Sequence, residues 1–238
     1  MSNGIFIVGT DTDIGKTFVT GGLLYLLRKN GVNASYFKAA LSGAIKENER
    51  LIPGDTKFVS DLSGVNEEYS FLTPYVFETA VSPHLASKIE NIPIDLKIIK
   101  NSYLKVKEKY DYIVAEGSGG IICPIIDDGK STVLLEDIIK LLNLDTLLVA
   151  SAGLGSINHT VLTVKYMENA GLNIKGIIVN GYDENNICHR DNVKMIRKLT
   201  GKDIVALVQN IKENDNLEEI KRTFDALDYK KIKECIGA

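Results

Sequence analysis

Short apolar runs alternate along this chain with longer segments whose apolar residues recur every three or four positions. The short runs are typical of buried strands and the wider spacing of helices. Strands are predicted at residues 5–8, 32–39, 112–116, 146–150, 174–180 and 204–208. Helices are predicted to begin near residues 17, 55, 83, 94, 132 and 156, and again after the last two strands, while residues 69–83 look irregular. This alternation predicts an α/β fold: a doubly wound, mostly parallel sheet of about six or seven strands in a single domain, residues 1–238.

The amino-acid composition excludes some classes of binding partner and indicates a cellular compartment. With 238 residues, 45% of them apolar, the chain is long enough for one large domain. A net charge of −3 offers no basic footprint for nucleic acid. Three widely spaced cysteines lack metal-ligand spacing and suit a reducing compartment. No apolar run approaches a membrane span, and the first strand begins too early to leave room for a signal peptide, so we expect a cytoplasmic protein without nucleic-acid or membrane partners.

The stretch from Gly9 to Thr17 matches the phosphate-binding pattern Gly-x4-Gly-Lys-Ser/Thr at every required position. In this pattern the glycines let backbone N–H groups surround the phosphates, the lysine (Lys16) meets the β and γ oxygens, and the hydroxyl of Thr17 can ligate Mg²⁺. A predicted strand precedes the loop and a helix follows it, as in P-loop NTPase sheets. The predicted nucleotide contacts here are Asp13, Ile14, Gly15, Lys16, Thr17 and Phe18.

A second loop follows the strand that ends at Glu116. P-loop proteins place their second Mg²⁺ group at the end of such a strand, and glycines after it let the backbone approach a ligand. This predicts nucleotide contacts from Glu116, Gly117, Ser118 and Gly119.

Other candidate residues also follow strand ends. Lys38 lies at a strand exit, where position alone favours a solvated lysine as much as a site residue. Asp55 follows Pro53 and Gly54 at a helix start, where capping is the simpler interpretation. Asn180 ends a later strand.

The loop at residues 153–159 opens a helix with Ser156 and Asn158 near its start. Free N–H groups there could hold a substrate carboxylate, although ordinary capping explains the same residues equally well. His84, at another helix start, is interpreted as a capping or packing residue.

These candidates converge because the carboxyl ends of parallel strands meet at one edge of the sheet. Mg²⁺ prefers oxygen ligands, so Thr17, Asp55 and Glu116 form a plausible set of direct or water-mediated ligands. Lys16 and Lys38 would then flank a transferred phosphoryl group and stabilise its charge.

The interior of the P-loop is unusually acidic. Asp11 and Asp13 are repelled by a polyphosphate unless they face away from it or meet a cation. We therefore hypothesise that at least one of them meets a cationic substrate such as an amine.

With these motifs in place, the chain resembles the dethiobiotin synthetases of biotin biosynthesis. The resemblance runs through most of the chain, and its segments occur in that family's order. They are the P-loop with its acidic interior, Lys38 with Ser42 and Gly43, Asp55, Ser82 to His84, Glu116 to Gly120, Leu154 to His159 and Asn180.

The resemblance implies an ATP- and Mg²⁺-dependent carboxylation of 7,8-diaminononanoate. One amine takes up CO₂ as a carbamate, ATP phosphorylates the carbamate, and the second amine closes a cyclic urea. It implies a homodimer in which residues 154–159 reach the partner's site and bind the substrate carboxylate. It also implies roles for individual residues: Lys38 and Lys16 in catalysis; Thr17, Asp55 and Glu116 around Mg²⁺; Thr12, Asp13, Lys38, Ser42, Ser156 and Asn158 at the substrate; Asn180 at the base.

Two segments depart from that family's pattern. Ala39 follows Lys38 where the family has proline, and residues 206–210 replace a Gly-x-Ile-Pro type segment that lines the base pocket. The second departure bears on selectivity for adenine.

Three rival interpretations compete with the synthetase. A dimeric ATPase switch of the partitioning and division-site type would carry an extra lysine early in the P-loop, but residues 10–14 contain none. Cobyrinate-type amide-forming enzymes need an attached glutaminase domain, for which the chain has no space. A nucleotide-binding regulator without catalysis is disfavoured by Lys38, Asp55 and Glu116.

Overall fold

Twelve strands and ten helices make up the part of the chain that the computed structural model describes, residues 4–210 and 216–238. The strands are β1 (Gly4–Gly9), β2 (Ala34–Lys38), β3 (Ala40–Ser42), β4 (Ile45–Glu47), β5 (Arg50–Ile52), β6 (Tyr75–Phe77), β7 (Tyr112–Glu116), β8 (Pro124–Asp127), β9 (Thr132–Leu134), β10 (Asp145–Ser151), β11 (Ile174–Tyr182) and β12 (Ile204–Gln209). The helices are α1 (Lys16–Lys29), α2 (Gly54–Ser63), α3 (Tyr69–Leu72), α4 (Pro83–Glu90), α5 (Leu96–Lys109), α6 (Leu135–Leu142), α7 (Ser156–Asn169), α8 (Ile187–Thr200), α9 (Leu217–Asp225) and α10 (Tyr229–Ile236).

A six-stranded parallel sheet forms the centre of the molecule, in the order β12-β11-β10-β1-β7-β2. The predicted α/β fold with a doubly wound, mostly parallel sheet is confirmed. The predicted single domain spans residues 1–238, of which residues 1–3 and 211–215 lie outside the described residues. Because every strand of this sheet runs the same way, the P-loop, Lys38, Glu116 and Asn180 emerge at one edge.

Two apolar cores cover the two faces of this sheet. Alternate residues of β1 serve both: Phe6 and Val8 join one cluster, and Ile5 and Ile7 join the other. A strand that is buried on both faces reads as a continuous apolar run, which is why these strands were evident in the sequence. Within the described residues, no helix is long and apolar enough to cross a bilayer.

Small strands outside the central sheet were not predicted. The predicted helix at residues 132–142 is wrong at its start, because residues 132–134 form β9, which pairs with β8, and α6 begins at Leu135. The Asp137 carboxylate accepts a hydrogen bond from the N–H of Leu134 and marks that start. Residues 69–83 are not irregular throughout, since they contain α3 and β6, which pairs with β3. The β4–β5 hairpin is mostly exposed, and its three-residue strands show no regular alternation of apolar and polar residues.

The P-loop helix α1 packs closely against α9. A side chain added at Gly22 would lie 2.0 Å from the ring of Phe224, which is fully buried. The ring of Phe224 also lies 5.1 Å from that of Phe18, in the first turn of α1. Glycine at position 22 therefore lets α9 approach the helix that presents the P-loop.

We expect the substitution Gly22→Ala to destabilise the protein by about 1–3 kcal/mol, because the methyl group must displace a packed ring. Denaturant unfolding monitored by circular dichroism would measure this. Gly54→Ala is a matched helical control with no neighbouring atom within 4 Å, and we expect it to leave stability unchanged or slightly higher. Equal unfolding midpoints for Gly22→Ala and the native chain would contradict this close packing of α1 against α9.

Candidate active site

The P-loop connects the end of β1 to the start of α1 through two residues with left-handed backbone. Gly15 has φ 86° and caps α1, and Asp13 has φ 57°. Asparagine, aspartate and glycine are the residues that tolerate this region. The first N–H groups of α1 have no partner within the helix, so they are available to an anion beside the loop.

Lys16 is buried and folds back over its own loop. Its Nζ donates a hydrogen bond of 2.6 Å to the backbone carbonyl of Asp11. A side chain at Gly9 would collide with the Lys16 side chain at 2.7 Å, so glycine at position 9 leaves room for the lysine. Burial lowers the pKa of Lys16 and outweighs the opposing effect of Glu116.

Lys38 forms the electrostatic centre of the site. Its buried Nζ lies 2.5 Å from Oδ2 of Asp55 and 2.8 Å from Oε1 of Glu116. Burial alone would lower the pKa of Lys38, but Glu116 and then Asp55 outweigh it and raise the pKa above its ordinary value. The side chain is therefore a fixed cation rather than a solvated lysine at a strand exit.

Glu116 is buried and accepts hydrogen bonds on both carboxylate oxygens. Oε1 accepts from Thr17 Oγ1 at 2.7 Å as well as from Lys38, and Oε2 accepts from the phenol of Tyr36 at 3.0 Å. The register of the sheet pairs Lys38 with Glu116 across β2 and β7. This carboxylate thereby links the P-loop helix to the strand that carries Lys38.

A cavity of about 620 Å³ lies over these groups. It brings together most of the predicted site residues: Thr12, Asp13, Gly15, Lys16, Thr17, Phe18, Lys38, Ser42, Asp55, Glu116, Gly117, Ser118 and Gly119. Ser118 also ties its loop to β3 by donating a 2.6 Å hydrogen bond to the carbonyl of Ala40.

Asp55 belongs to this site and does not cap its helix. It follows Gly54 at the start of α2, but its side chain accepts from Lys38, and no side chain caps that helix end. His84, by contrast, shares a 3.0 Å hydrogen bond with the side chain of Ser82 at the start of α4, where no side chain caps the helix, so the packing interpretation of His84 stays a prediction.

Three cavity residues were missed by the sequence analysis: Leu41, Gly54 and Phe58. Phe58 lies three residues after Asp55 on α2, so helical spacing from Asp55 was a signal that could have found it. Tyr36 was missed too, although it lies two residues before Lys38 and therefore on the same face of β2.

A second cavity, of about 330 Å³, lies on the other side of the P-loop and contains Ile14 and Asn180. The amide of Asn180 donates a 3.0 Å hydrogen bond to the carbonyl of Ile14, so the end of β11 supports the loop directly. A side chain at Gly15 would meet that amide at 2.1 Å. Asn210, from the segment that departs from the family pattern, also lines this cavity.

Ser156 and Asn158 are not among the residues that line either cavity. Ser156 is buried and its hydroxyl has no hydrogen-bond partner among the described residues, whereas Asn158 is exposed. The adjacent Leu154 is 96% exposed. A single chain therefore does not bring these residues to the P-loop.

The oxygen donors at the cavity suit Mg²⁺. Within residues 4–210 and 216–238 no cluster of three His, Cys, Asp or Glu side chains could hold a metal ion by itself. Mg²⁺ is commonly bound through one or two carboxylates together with nucleotide phosphates and water. The hydroxyl of Thr17 and the carboxylates of Asp55 and Glu116 match that chemistry.

The parallel sheet and the loop around Lys16 define a P-loop nucleotide-binding protein. The model of a family described as AAA domain matches residues 3–218. Three proteins named ATP-dependent dethiobiotin synthetase BioD are similar along nearly their whole lengths. They come from Clostridium novyi (87% identity, 100% of both chains), Clostridium kluyveri (59%, 91% of this chain and 90% of the relative) and Clostridium acetobutylicum (51%, 98% and 97%). The chain belongs to the dethiobiotin synthetases, a family of ATP-dependent ligases.

Solved structures with the same fold are far more distant in sequence. The MinC:MinD cell division complex of Aquifex aeolicus aligns with a TM-score of 0.57 at 17% identity, over 93% of this chain and 86% of that one. A ParA family ATPase of Chlorobium tepidum aligns with the same score at 16% identity, over 98% and 94%. These likenesses extend to the fold alone.

Replacing Lys38 with methionine should lower the free energy of unfolding by about 3 kcal/mol at neutral pH, because Glu116 is left as an uncompensated buried charge. The folded-state pKa of Lys38 lies above its ordinary value of 10.5. Between neutral pH and pH 10.5 the ion pairs therefore stabilise the fold fully, and their contribution disappears as the pH rises past the folded-state value. Urea unfolding at neutral and alkaline pH should show the gap between the two proteins narrowing only in alkali.

The exposed ion pair of Lys57 with Asp61 provides a control, since Lys57→Met should leave the unfolding midpoint unchanged. A Lys38→Met gap no larger than that of the control would show that the buried pairs contribute no stability.

Proposed function

We propose that this chain forms the cyclic urea of dethiobiotin from 7,8-diaminononanoate, CO₂ and ATP. One observation carries the proposal: the buried cation of Lys38 is held by Asp55 and Glu116 in the same cavity as the P-loop. A nucleotide site alone requires no such group. The membership of the family supports the same conclusion.

The reaction has three bond-forming steps. One amine of the substrate attacks CO₂ and loses a proton, which gives a carbamate. A carbamate oxygen then attacks the γ-phosphorus, and the bond to the ADP oxygen breaks. The second amine attacks the carbamoyl carbon and loses a proton, and the carbon–oxygen bond breaks to release phosphate and close the ring.

Lys16 and Lys38 stabilise the charge on the transferred phosphoryl group in this proposal. Phosphoryl transfer depends mainly on positioning and on charges that are in place before the reaction. Lys38 satisfies that condition because two carboxylates hold it at a fixed point. Lys16 would exchange the carbonyl of Asp11 for phosphate oxygens when the nucleotide binds.

Thr17, Asp55 and Glu116 are the residues proposed to hold Mg²⁺, directly or through water. When bound, this ion neutralises phosphate charge and orients the β and γ oxygens. Asp55 is the most adaptable of the three, since its side chain is 40% exposed. It can turn between Lys38 and a ligand in the cavity, whereas Glu116 is fixed from both sides.

The diamine is proposed to lie against Thr12, Asp13 and Ser42, which line the cavity beside Lys38. An exposed carboxylate at Asp13 offers the negative charge that an ammonium group requires. We further propose that the base of ATP occupies the second cavity at Asn180, with Asn210 beside it, because that cavity adjoins Gly15.

The substrate carboxylate is proposed to be held in trans, by the start of α7 at Ser156 and Asn158 of a second copy in a homodimer, with Asn158 as the exposed side chain. The support is positional: these residues open α7, next to the exposed Leu154 and away from their own P-loop cavity. The N–H groups at that helix start suit an anion. The proposed location is the cytoplasm, where reducing conditions suit the free thiols of Cys123, Cys188 and Cys235.

The function is tested by incubating the protein with diaminononanoate, ATP, Mg²⁺ and labelled bicarbonate. We expect the label in an acid-stable ureido product. The substitution Lys38→Gln should lower the rate by about 100-fold or more, the scale seen when one preorganised transition-state donor is lost. Nucleotide binding should persist because the P-loop is unchanged, and Lys57→Gln should behave like the native chain. ATP hydrolysis by the native protein without a labelled product would refute the proposal.

The substitution Asp13→Asn tests the role of the acidic P-loop. Asparagine keeps the left-handed backbone of residue 13 and removes only the charge. The affinity for the diamine, measured by calorimetry, should fall about tenfold, since a charge-assisted hydrogen bond is weakened. Asp11→Asn is the matched control, because Asp11 is absent from the cavity lining and caps the N–H of Thr12. An unchanged affinity in Asp13→Asn would exclude Asp13 as the amine partner.

A further inference from the structure

Tyr36 is a buried residue, and the one polar atom of its side chain faces the candidate active site. Its side chain has no exposed surface, and its phenol donates a 3.0 Å hydrogen bond to Oε2 of Glu116. Tyr36 and Lys38 lie two residues apart on β2, so both side chains point to the face that carries Glu116. The phenol thus belongs to the same polar cluster as the catalytic lysine.

The two carboxylate oxygens of Glu116 accept hydrogen bonds from different sides. Oε1 accepts from Lys38 and Thr17, which line the cavity, whereas Oε2 accepts from Tyr36 beneath it. A carboxylate with donors on one oxygen alone can rotate about its last bond and offer either oxygen to Lys38. The phenol removes that freedom because a second donor fixes the plane of the group.

The phenol lies in a fully buried environment. Thr56, the residue after Asp55, is close to the Tyr36 hydroxyl, and the Thr56 hydroxyl lies 2.7 Å from that of Thr73. A phenol keeps its proton at neutral pH, so Tyr36 is the donor in its hydrogen bond to Glu116.

We propose that Tyr36 is a positioning residue, which fixes Glu116 so that Oε1 faces the cavity and serves Thr17, Lys38 and the nucleotide-bound cation. This inference rests on the proposed function for the identity of the cation. Substitution of Tyr36 should act on the binding of the metal–nucleotide complex and much less on binding of the nucleotide alone.

A nucleotide-binding measurement separates this role from a general loss of packing. The affinity for a non-hydrolysable imido analogue of ATP is measured by calorimetry with Mg²⁺ and again with EDTA. In Tyr36→Phe we expect the affinity with Mg²⁺ to fall about tenfold and the affinity with EDTA to change by less than about twofold, since one hydrogen bond to a charged group is lost.

Tyr112→Phe is the matched control. Tyr112 is also buried, lies on β7 on the same face as Glu116, and donates one 2.7 Å hydrogen bond to the carbonyl of Ile236. Four residues of strand, about 13 Å, separate it from Glu116. Both variants should unfold at lower denaturant concentration, but only Tyr36→Phe should change the ratio of the two affinities. Equal ratios in both variants would overturn the proposal.

A double-mutant cycle gives a second, independent test. If Tyr36 acts through Glu116, adding Tyr36→Phe to Glu116→Gln should leave the Mg²⁺-dependent ratio of Glu116→Gln unchanged. Additive effects would overturn the proposal. Neither measurement requires turnover, so a native protein that makes no ureido product would count against the proposed function and leave this inference to be judged by binding alone.

Discussion

The buried ion pair between Lys38 and Glu116 is the interaction on which the rest of the site depends. It joins neighbouring strands at the carboxyl edge of the sheet, and the same carboxylate oxygen reaches Thr17 on the P-loop helix. Such a pair tolerates burial only when its hydrogen bonds are satisfied, and here Asp55 and Tyr36 complete them. The charge of the lysine is therefore supplied by the fold before any substrate arrives.

The position of β2 in the sheet explains why Lys38 is held by several hydrogen bonds. Among the described strands of the central sheet, β2 is terminal and pairs with β7 alone. A shift of one residue in this pairing would turn Lys38 to the opposite face. The contacts of Glu116 and Asp55 with Lys38 hold the register beside the cavity, so the side chains that stabilise this pairing also line the candidate active site.

The sequence predicted the central sheet and the P-loop well because both obey short-range rules. Buried strands appear as apolar runs, and a phosphate-binding loop has fixed spacing. Tyr36 and Phe58 were not predicted, because their positions at the site depend on which elements pack together. Strand and helix periodicity places them there only once Lys38 and Asp55 are known to be site residues. The β8–β9 pair was missed for a related reason: β9 has three residues and runs directly into α6. Ser156 and Asn158 lie outside the two cavities of the single chain, so the substrate contact predicted for them stays a prediction.

The parallel order of the central sheet has a consequence for how this enzyme matures. Residues 16, 38, 55, 116 and 180 meet only after strands far apart in sequence have paired. Such pairings form slowly, because the entropy of closing a long loop is lost before the stabilising contacts between the strands have formed. A growing chain already carries its complete P-loop when β1 and α1 emerge, yet it lacks Glu116 and the Asn180 support beneath that loop. The complete candidate site therefore exists only after the whole central sheet has formed.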